Sequence, residues 1–203
     1  MILIFDTETT GFPKPNLSIT HPSQPYIVQL AAMLCDDDAR VLGSFNWIVN
    51  NDVEIPEEAA SVHGITREMC AAVGHRPDFV LECFLHFYAR ADLLVAHNRK
   101  FDMAIMETAF ARDLPPGMPW KPLDKPGFCT MEAAAPIVNI PPTPKMRAAG
   151  FTKPKPPKLS ECIEHFFGEK LEGAHDAMID VGACKRVFFH IKGLQAAQTG
   201  AAA

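Results

Sequence analysis

The sequence contains no apolar run near the roughly 18 residues that a membrane-spanning helix needs, so we expect no membrane association. No Cys-x-x-Cys pair occurs among its six cysteines, which argues against a zinc site and against a disulfide framework. No basic residue precedes Asp6, so the N-terminus does not resemble a signal peptide. Together these absences predict a cytoplasmic protein whose thiols are buried and reduced.

The composition is that of an ordinary globular protein, with 48% hydrophobic and 21% charged residues. A length of 203 residues suits one domain with a sizeable core. We expect a single domain over residues 1–194, followed by a flexible tail of small and polar residues at 195–203.

Acidic residues are absent between Ala133 and Ser160, although the whole chain carries a net charge of -5. The overall charge argues weakly against a nucleic-acid partner, but a local basic patch can still bind a phosphate backbone. Five basic residues fall in this stretch: Lys145, Arg147, Lys153, Lys155 and Lys158. Residues 141–158 therefore form either a phosphate-binding surface or a solvated, proline-stiffened loop. The Pro-rich stretch at 12–25 likewise either shapes access to a site or has no role.

Hydrophobic periodicity predicts a mixed α/β fold. Three apolar segments, MILIFD, YIVQLAAMLCD and VLGSFNWIVN, are typical of strands, and DDDA between the last two supplies a turn. Short helices follow, with Pro56 at a helix start, Gly64 as a break and a longer helix after Pro77. Strand-like DLLVAHN and GFCT then alternate with helical segments. This order predicts a mixed sheet with helices on both faces.

Two acids lie at the end of the first predicted strand, in FDTETTG. Because residues two apart in a strand point to the same face, Asp6 and Glu8 should project together. Buried carboxylates are normally paired or bound to a metal, whereas a pair of surface acids at a turn needs no cation. The motif alone leaves both interpretations open.

Two later segments add further candidates. Asp102 follows the strand in LVAHNRKFD, where it either joins a site at the strand ends or caps a helix. His175 and Asp180 are five residues apart in GAHDAMID, about 500° along a helix. They cannot share a helix face, so we expect His175 in the loop and Asp180 in the helix. Asp176 is expected to cap that helix.

The segments FDTETTG, HNRKFD and HDAMID, in this order, resemble the three exonuclease motifs of the DEDDh family. This family includes the proofreading subunit of bacterial DNA polymerase III and ribonuclease T. VHGIT at 62–66 is similar to the family's His-Gly-Ile segment, and the resemblance runs from Met1 to about Leu194. It implies a ribonuclease-H-like fold with a mixed five-stranded sheet, and removal of nucleotides in the 3′-to-5′ direction.

The resemblance also implies a role for each acid. Asp6 would bridge two divalent ions, Glu8 and Asp180 would complete the shell of one, and Asp102 would act on the second. His175 would be the general base. Hard cations such as Mg²⁺ or Mn²⁺ suit such an oxygen-rich site, and two of them can stabilise both the attacking and the leaving oxygen of a phosphodiester.

The residues implied to hold the 3′-terminal nucleotide are Thr9, Thr10, His63 and Phe101, with Asn98 beside them. Trp47 and Trp120 are weaker candidates for base stacking. We therefore expect a metal-dependent exonuclease that releases nucleoside monophosphates from free 3′ ends, of single-stranded DNA in preference to RNA. Proofreading or repair would be its setting, with no polymerase or repair partner identified. An RNA exonuclease of the same fold is the alternative. A non-catalytic nucleic-acid-binding accessory module is an alternative of another class.

Overall fold

A five-stranded mixed sheet forms the centre of the computed structural model, which describes residues 1–114 and 124–200. Its strands are β1 (Ile2–Thr9), β2 (Ile27–Cys35), β3 (Val41–Ile48), β4 (Leu93–Ala96) and β5 (Gly127–Cys129). Their order across the sheet is β3-β2-β1-β4-β5. The pairs β1–β2 and β2–β3 are antiparallel, and β1–β4 and β4–β5 are parallel. The predicted mixed five-stranded sheet is confirmed.

The helices follow the predicted pattern, with one addition. They are α1 (Glu57–His63), α2 (Arg67–Val73), α3 (Pro77–Arg90), α4 (Arg99–Asp113), α5 (Thr130–Val138), α6 (Pro144–Ala148), α7 (Leu159–Phe167) and α8 (Ala177–Gly200). The short helix α6 lies inside the Pro/Lys segment, where the sequence predicted only a loop. Helix α8 continues past residue 194, so residues 195–200 are helical, while the single domain over residues 1–194 stays a prediction.

Alternation along β1 divides the core into two layers. Leu3 and Phe5 pack in a cluster with residues of α3 and α4, whereas Ile2 and Ile4 pack with residues of α7 and α8. These four side chains are 2% exposed or less, so the first strand is buried on both faces. Helices therefore cover both faces of the sheet, as predicted.

The remaining expectations on composition concern cysteine, tryptophan and membranes. All six cysteines lie within the described residues and are free thiols, four of them buried and Cys83 and Cys129 partly buried. Trp47 packs against the core, with its ring centroid 4.5 Å from that of His75, whereas Trp120 lies outside the described residues. Within residues 1–114 and 124–200, no helix has the length and apolar character needed to cross a bilayer.

Candidate active site

The two acids near the end of β1 point towards the layer of helices that contains α8. Asp6 and Glu8 continue the side of β1 that carries Ile2 and Ile4, which is the side packed against α8. Thr7 lies between them and faces the opposite layer, which includes α4. The strand is therefore the element that brings groups from both helical layers to one end of the sheet.

The start of α8 supplies the residues that meet this acid pair. Ligand atoms of Glu8, His175 and Asp180 all lie within 4.8 Å of one another. As predicted, His175 precedes the helix, in a left-handed conformation with φ of 71°. Its backbone N–H donates to Asp180 Oδ2 at 3.1 Å, and its side chain is exposed. Asp176 caps the helix, since its Oδ1 accepts from the Met178 and Ile179 amides at 2.9 and 3.2 Å.

Asp102 joins the site from α4 and does not cap that helix. The N-cap position is occupied by Asn98, which has a left-handed φ of 64°, so the N-cap interpretation of Asp102 is wrong. Asp102 is only 2% exposed. The backbone N–H and the hydroxyl of Thr7 both donate to Asp102 Oδ1, at 3.1 and 2.9 Å. Because both bonds end on one oxygen, Asp102 Oδ2 is not engaged by Thr7.

The acids raise one another's pKa. Burial raises the pKa of Asp6 well above 3.8, and the charges of Asp102, Asp180 and Glu8 add to the effect. Burial likewise raises the pKa of Glu8 to about 8, with Asp180 and Asp102 contributing. Burial also raises the pKa of Asp180, although the backbone N–H of His175 opposes the shift. The pKa of Asp102 rises to about 7 through burial, despite the two bonds from Thr7. Burial and mutual repulsion therefore favour the protonated form of all four carboxyl groups in the metal-free protein.

The donor set fits divalent cations. Asp180 Oδ1 is buried and has no hydrogen-bond partner among the described residues. Within the same part of the chain, no Lys or Arg forms a salt bridge with any of the four acids. Crowded carboxylates with an unpaired buried oxygen are stabilised by a cation that replaces their protons. Oxygen ligands suit Mg²⁺ or Mn²⁺ better than softer metals.

A glutamine that sequence reasoning missed holds the start of α8 against the sheet. Gln29 on β2 lies opposite Glu8 in the strand register and is 5% exposed. Its Nε2 donates to Asp176 Oδ2 at 3.2 Å and to Asn46 Oδ1 at 2.9 Å, and its Oε1 accepts from the Ala177 amide at 3.1 Å. The only local signal was a polar residue inside the apolar segment YIVQLAAMLCD. Gln29 thus joins β2, the strand paired with β1 at Glu8, to Asp176 and Ala177 at the start of α8.

The implied nucleotide-binding residues lie around the same end of β1. The Thr9 hydroxyl donates to the Gly11 carbonyl at 2.7 Å, and Thr10 Oγ1 accepts from the Tyr26 amide at 2.9 Å. Both hydroxyl groups therefore stabilise the turn after the strand. His63 ends α1, and its Nδ1 accepts from the Ile65 amide at 3.1 Å. Burial lowers the pKa of His63; the backbone of Thr9 opposes this shift and the charge of His175 adds to it, so His63 lies near both residues.

An exposed aromatic ring is a second feature that sequence reasoning missed. Phe12 is 82% exposed, and its ring lies edge-on to Phe101 with centroids 5.9 Å apart. Phe101 is three residues after Asn98, in the first turn of α4. An apolar residue directly after the acidic motif, in TTGF, was the available signal. Exposed aromatic side chains of this kind are able to stack on nucleic-acid bases.

Comparison with known proteins decides the family. The exonuclease family model named RNase T matches residues 3–188. The chain belongs to this exonuclease family. The resemblance to DEDDh exonucleases predicted from the three motifs is thereby confirmed. Members of the family depend on divalent metals.

Two curated relatives illustrate the match. The chain is 37% identical over 112 residues to a DNA polymerase III subunit epsilon-like protein of Rhodobacter capsulatus, covering 51% of this chain and 14% of that protein. It is 30% identical over 112 residues to the DNA polymerase III subunit epsilon of Pasteurella multocida, covering 54% of this chain and 42% of that protein. The matches thus cover less than half the length of each of these relatives.

Solved structures of E. coli exonuclease I share the fold. The structure of exonuclease I in complex with a dT13 oligonucleotide has a TM-score of 0.71 at 21% identity, covering 98% of this chain and 42% of that chain. Another structure of exonuclease I has a TM-score of 0.69 at 22% identity and covers 95% of this chain and 40% of that one. These likenesses confirm the predicted ribonuclease-H-like fold.

Proposed function

We propose that this protein is a metal-dependent 3′-to-5′ exonuclease that releases nucleoside monophosphates from single-stranded DNA. The observation that carries the proposal is the convergence of Glu8, His175 and Asp180 within 4.8 Å, beside the mutually repelling Asp6 and Asp102. A protein that only binds nucleic acid has no need of crowded carboxylates with raised pKa values. The non-catalytic accessory module is therefore disfavoured.

The four acids would hold two divalent cations, Mg²⁺ or Mn²⁺, with Asp6 between them. Glu8 and Asp180 would complete one site, and Asp102 would serve the other through the oxygen that Thr7 leaves free. When bound, such cations stabilise negative charge on the attacking and leaving oxygens of the phosphodiester. The raised pKa values mean that loading the site releases protons, so affinity for the cations should fall at acidic pH.

His175 would take the proton from the attacking water. Its exposed imidazole lies within reach of Glu8 and Asp180, while its backbone is fixed by the bond to Asp180 Oδ2. An imidazole titrates near neutrality, so it accepts a proton in the reaction and releases it afterwards. Asp180 thus acts twice, as a ligand and as the group that holds the backbone of His175.

The terminal nucleotide would lie between the turn after β1 and the start of α4. Phe12 and Phe101 offer two aromatic rings for stacking on a base. Thr9, Thr10, His63 and Asn98 would contribute to holding this nucleotide. Stacking tolerates any base, which suits an enzyme that removes nucleotides regardless of sequence.

DNA is favoured over RNA because the relatives are named as DNA polymerase III epsilon subunits and exonuclease I was solved with DNA oligonucleotides. Proofreading or repair follows from those names as the proposed setting, and a polymerase partner is part of that proposal. An RNA substrate would need contacts to the 2′-hydroxyl.

The test compares 5′-labelled single-stranded DNA, RNA of the same sequence and a duplex with a 3′ mismatch, each with Mg²⁺ or Mn²⁺. We expect a ladder shortened one nucleotide at a time from the 3′ end, fastest on single-stranded DNA. Asp6→Ala is the control, with no cleavage and an intact fold expected. Internal cleavage, or wild-type activity in Asp6→Ala, would contradict the proposal. Faster digestion of RNA would instead assign the chain to RNA.

A further inference from the structure

The Pro/Lys segment forms a folded excursion, which we name the basic arm (residues 140–158). Its two ends are joined where the Lys155 amide donates to the Ile140 carbonyl at 2.8 Å. Helix α6 lies inside the arm, and Thr143 Oγ1 caps it by accepting from the Met146 amide at 3.2 Å. After Gly150, which has a left-handed φ of 84°, the Phe151 amide returns to the Met146 carbonyl at 3.0 Å. These bonds fold the arm back on itself around one short helix.

A partly buried histidine attaches the basic arm to the end of the sheet that carries the candidate site. His97 Nε2 lies 3.0 Å from the Pro157 carbonyl, and His97 Nδ1 lies 2.9 Å from Thr130 Oγ1. A carbonyl only accepts, so Nε2 carries the proton and Nδ1 accepts from the Thr130 hydroxyl. Burial lowers the pKa of His97 to about 4, which keeps the ring neutral in this role.

The position of His97 sets where the basic arm ends. It directly follows Ala96, the last residue of β4, and directly precedes Asn98, the N-cap of α4. Asp102 lies on the same helix one turn further along. The last residues of the arm are therefore joined to the strand end from which α4 carries Asp102 into the site.

The positive charges of the basic arm are largely uncompensated. Lys155 is the exception, since its Nζ lies 2.5 Å from Glu161 Oε1. The other basic side chains are exposed and form no salt bridge within residues 1–114 and 124–200: Lys145, Arg147, Lys153 and Lys158. Since no acid occurs between residues 133 and 160, the arm presents one sign of charge on a chain whose net charge is -5.

We propose that the basic arm binds phosphates of a single-stranded nucleic acid upstream of the nucleotides held in the site. This inference rests on the proposed function and names the surface along which the rest of the substrate runs. Exposed lysine and arginine side chains bind phosphates irrespective of sequence, and each contact releases counterions. Single-strand-binding proteins use such charged tracks together with stacking rings, which Phe12 and Phe101 supply at the other end of the path.

The test is the triple exchange Lys145→Gln, Arg147→Gln and Lys153→Gln, which leaves Lys155 and its bond to Glu161 in place. Each lost contact on a single strand should reduce the slope of log affinity against log salt concentration by about 0.7, so about 2 in total. For a strand of about 20 nucleotides, a slope change of 2 corresponds to roughly 100-fold weaker binding at about 0.1 M salt. Turnover of a trinucleotide, which offers few phosphates beyond the one that is cleaved, should change much less.

The matched control removes three positive charges at the opposite end of the sheet, with Arg40→Gln, Lys185→Gln and Lys192→Gln. Lys192 lies 3.6 Å from Asp37, and the charge of Lys185 lowers the pKa of Cys35 at the end of β2 away from Glu8. This control should keep the salt slope of the wild type. Equal slopes in the two triple variants would overturn the proposal for the arm.

Failure of the proposed function gives a different result, because the wild type would then not hydrolyse the trinucleotide with Mn²⁺. Where three exchanges disturb the fold, Lys153→Gln alone carries the same test, with an expected slope change of about 0.7. An unchanged slope in that single variant, with trinucleotide turnover intact, also overturns the proposal.

Discussion

Asp102→Asn removes one charge from the acid cluster and almost nothing else. Both bonds from Thr7 end on Oδ1, and the carbonyl oxygen of an asparagine can accept the same two bonds. The shape of the side chain is conserved, so a change in the free energy of unfolding reports the charge itself. We expect the metal-free variant to be more stable than the wild type at pH 8 and similar to it at pH 4.

The magnitude follows from the pKa of Asp102, which burial raises from 3.8 to about 7. Between these values the native state binds more protons than the unfolded state, so stability falls as pH rises and levels off above about 7. At about 1.4 kcal/mol for each pKa unit, the full loss is about 4 kcal/mol. Because Asp6 titrates together with Asp102, some of this loss belongs to the pair, and we expect a gain of about 2 to 4 kcal/mol in the variant.

Urea unfolding followed by circular dichroism, with EDTA present, measures this difference at pH 4 and pH 8. Asp113→Asn is the matched control on the same helix, since Asp113 pairs with Arg112 at 3.0 Å and its loss should not stabilise the protein. Addition of Mn²⁺ at pH 8 should stabilise the wild type more than Asp102→Asn, because the wild type keeps all its ligands. A variant no more stable than the wild type at pH 8 would refute the assignment of Asp102 to a repelling cluster.

Two further predictions concern the start of α8. His175→Ala should lower single-turnover rates by roughly 10²- to 10⁴-fold while calorimetry shows Mn²⁺ binding retained, and loss of both together would contradict the role of general base. Gln29→Leu should reduce the free energy of unfolding by about 2 to 4 kcal/mol, since it removes the hydrogen-bond partner of the buried Ala177 amide and of Asp176 Oδ2. Turnover of this variant should fall more than its KM rises. An unchanged thermal midpoint together with full turnover would show that the hydrogen bonds of Gln29 contribute neither to stability nor to catalysis.

Local signals account for the parts of the fold that could be predicted. Pro77 occupies the first turn of α3, and Gly64 and Gly168 end α1 and α7 with left-handed φ values of 73° and 68°. Such residues determine element ends within a few positions of themselves. Helix α6 was missed because Thr143 caps a single turn among prolines, a pattern that is also typical of a loop.

Tertiary contacts account for the parts that could not be predicted. The period of two in a strand placed Asp6 and Glu8 on one face, and the family resemblance named their partners. The Gln29–Asp176 hydrogen bond joins residues 147 positions apart, and no local sequence pattern indicates a contact between residues so far apart. Asn98, and not Asp102, occupies the N-cap of α4. Its left-handed backbone conformation depends on the path of the chain after β4, which no local sequence pattern predicts.

The central position of β1 bears on when the protein acquires activity. Its antiparallel partner β2 follows within about thirty residues, but its parallel partner β4 and the start of α8 come much later in the chain. Contacts of such long sequence separation form slowly, because the loop between them must close first. A chain still emerging from the ribosome, or partly refolded, would hold Asp6 and Glu8 without Asp180. During refolding, nuclease activity should therefore return after the bulk of the helical signal, as the last property the molecule recovers.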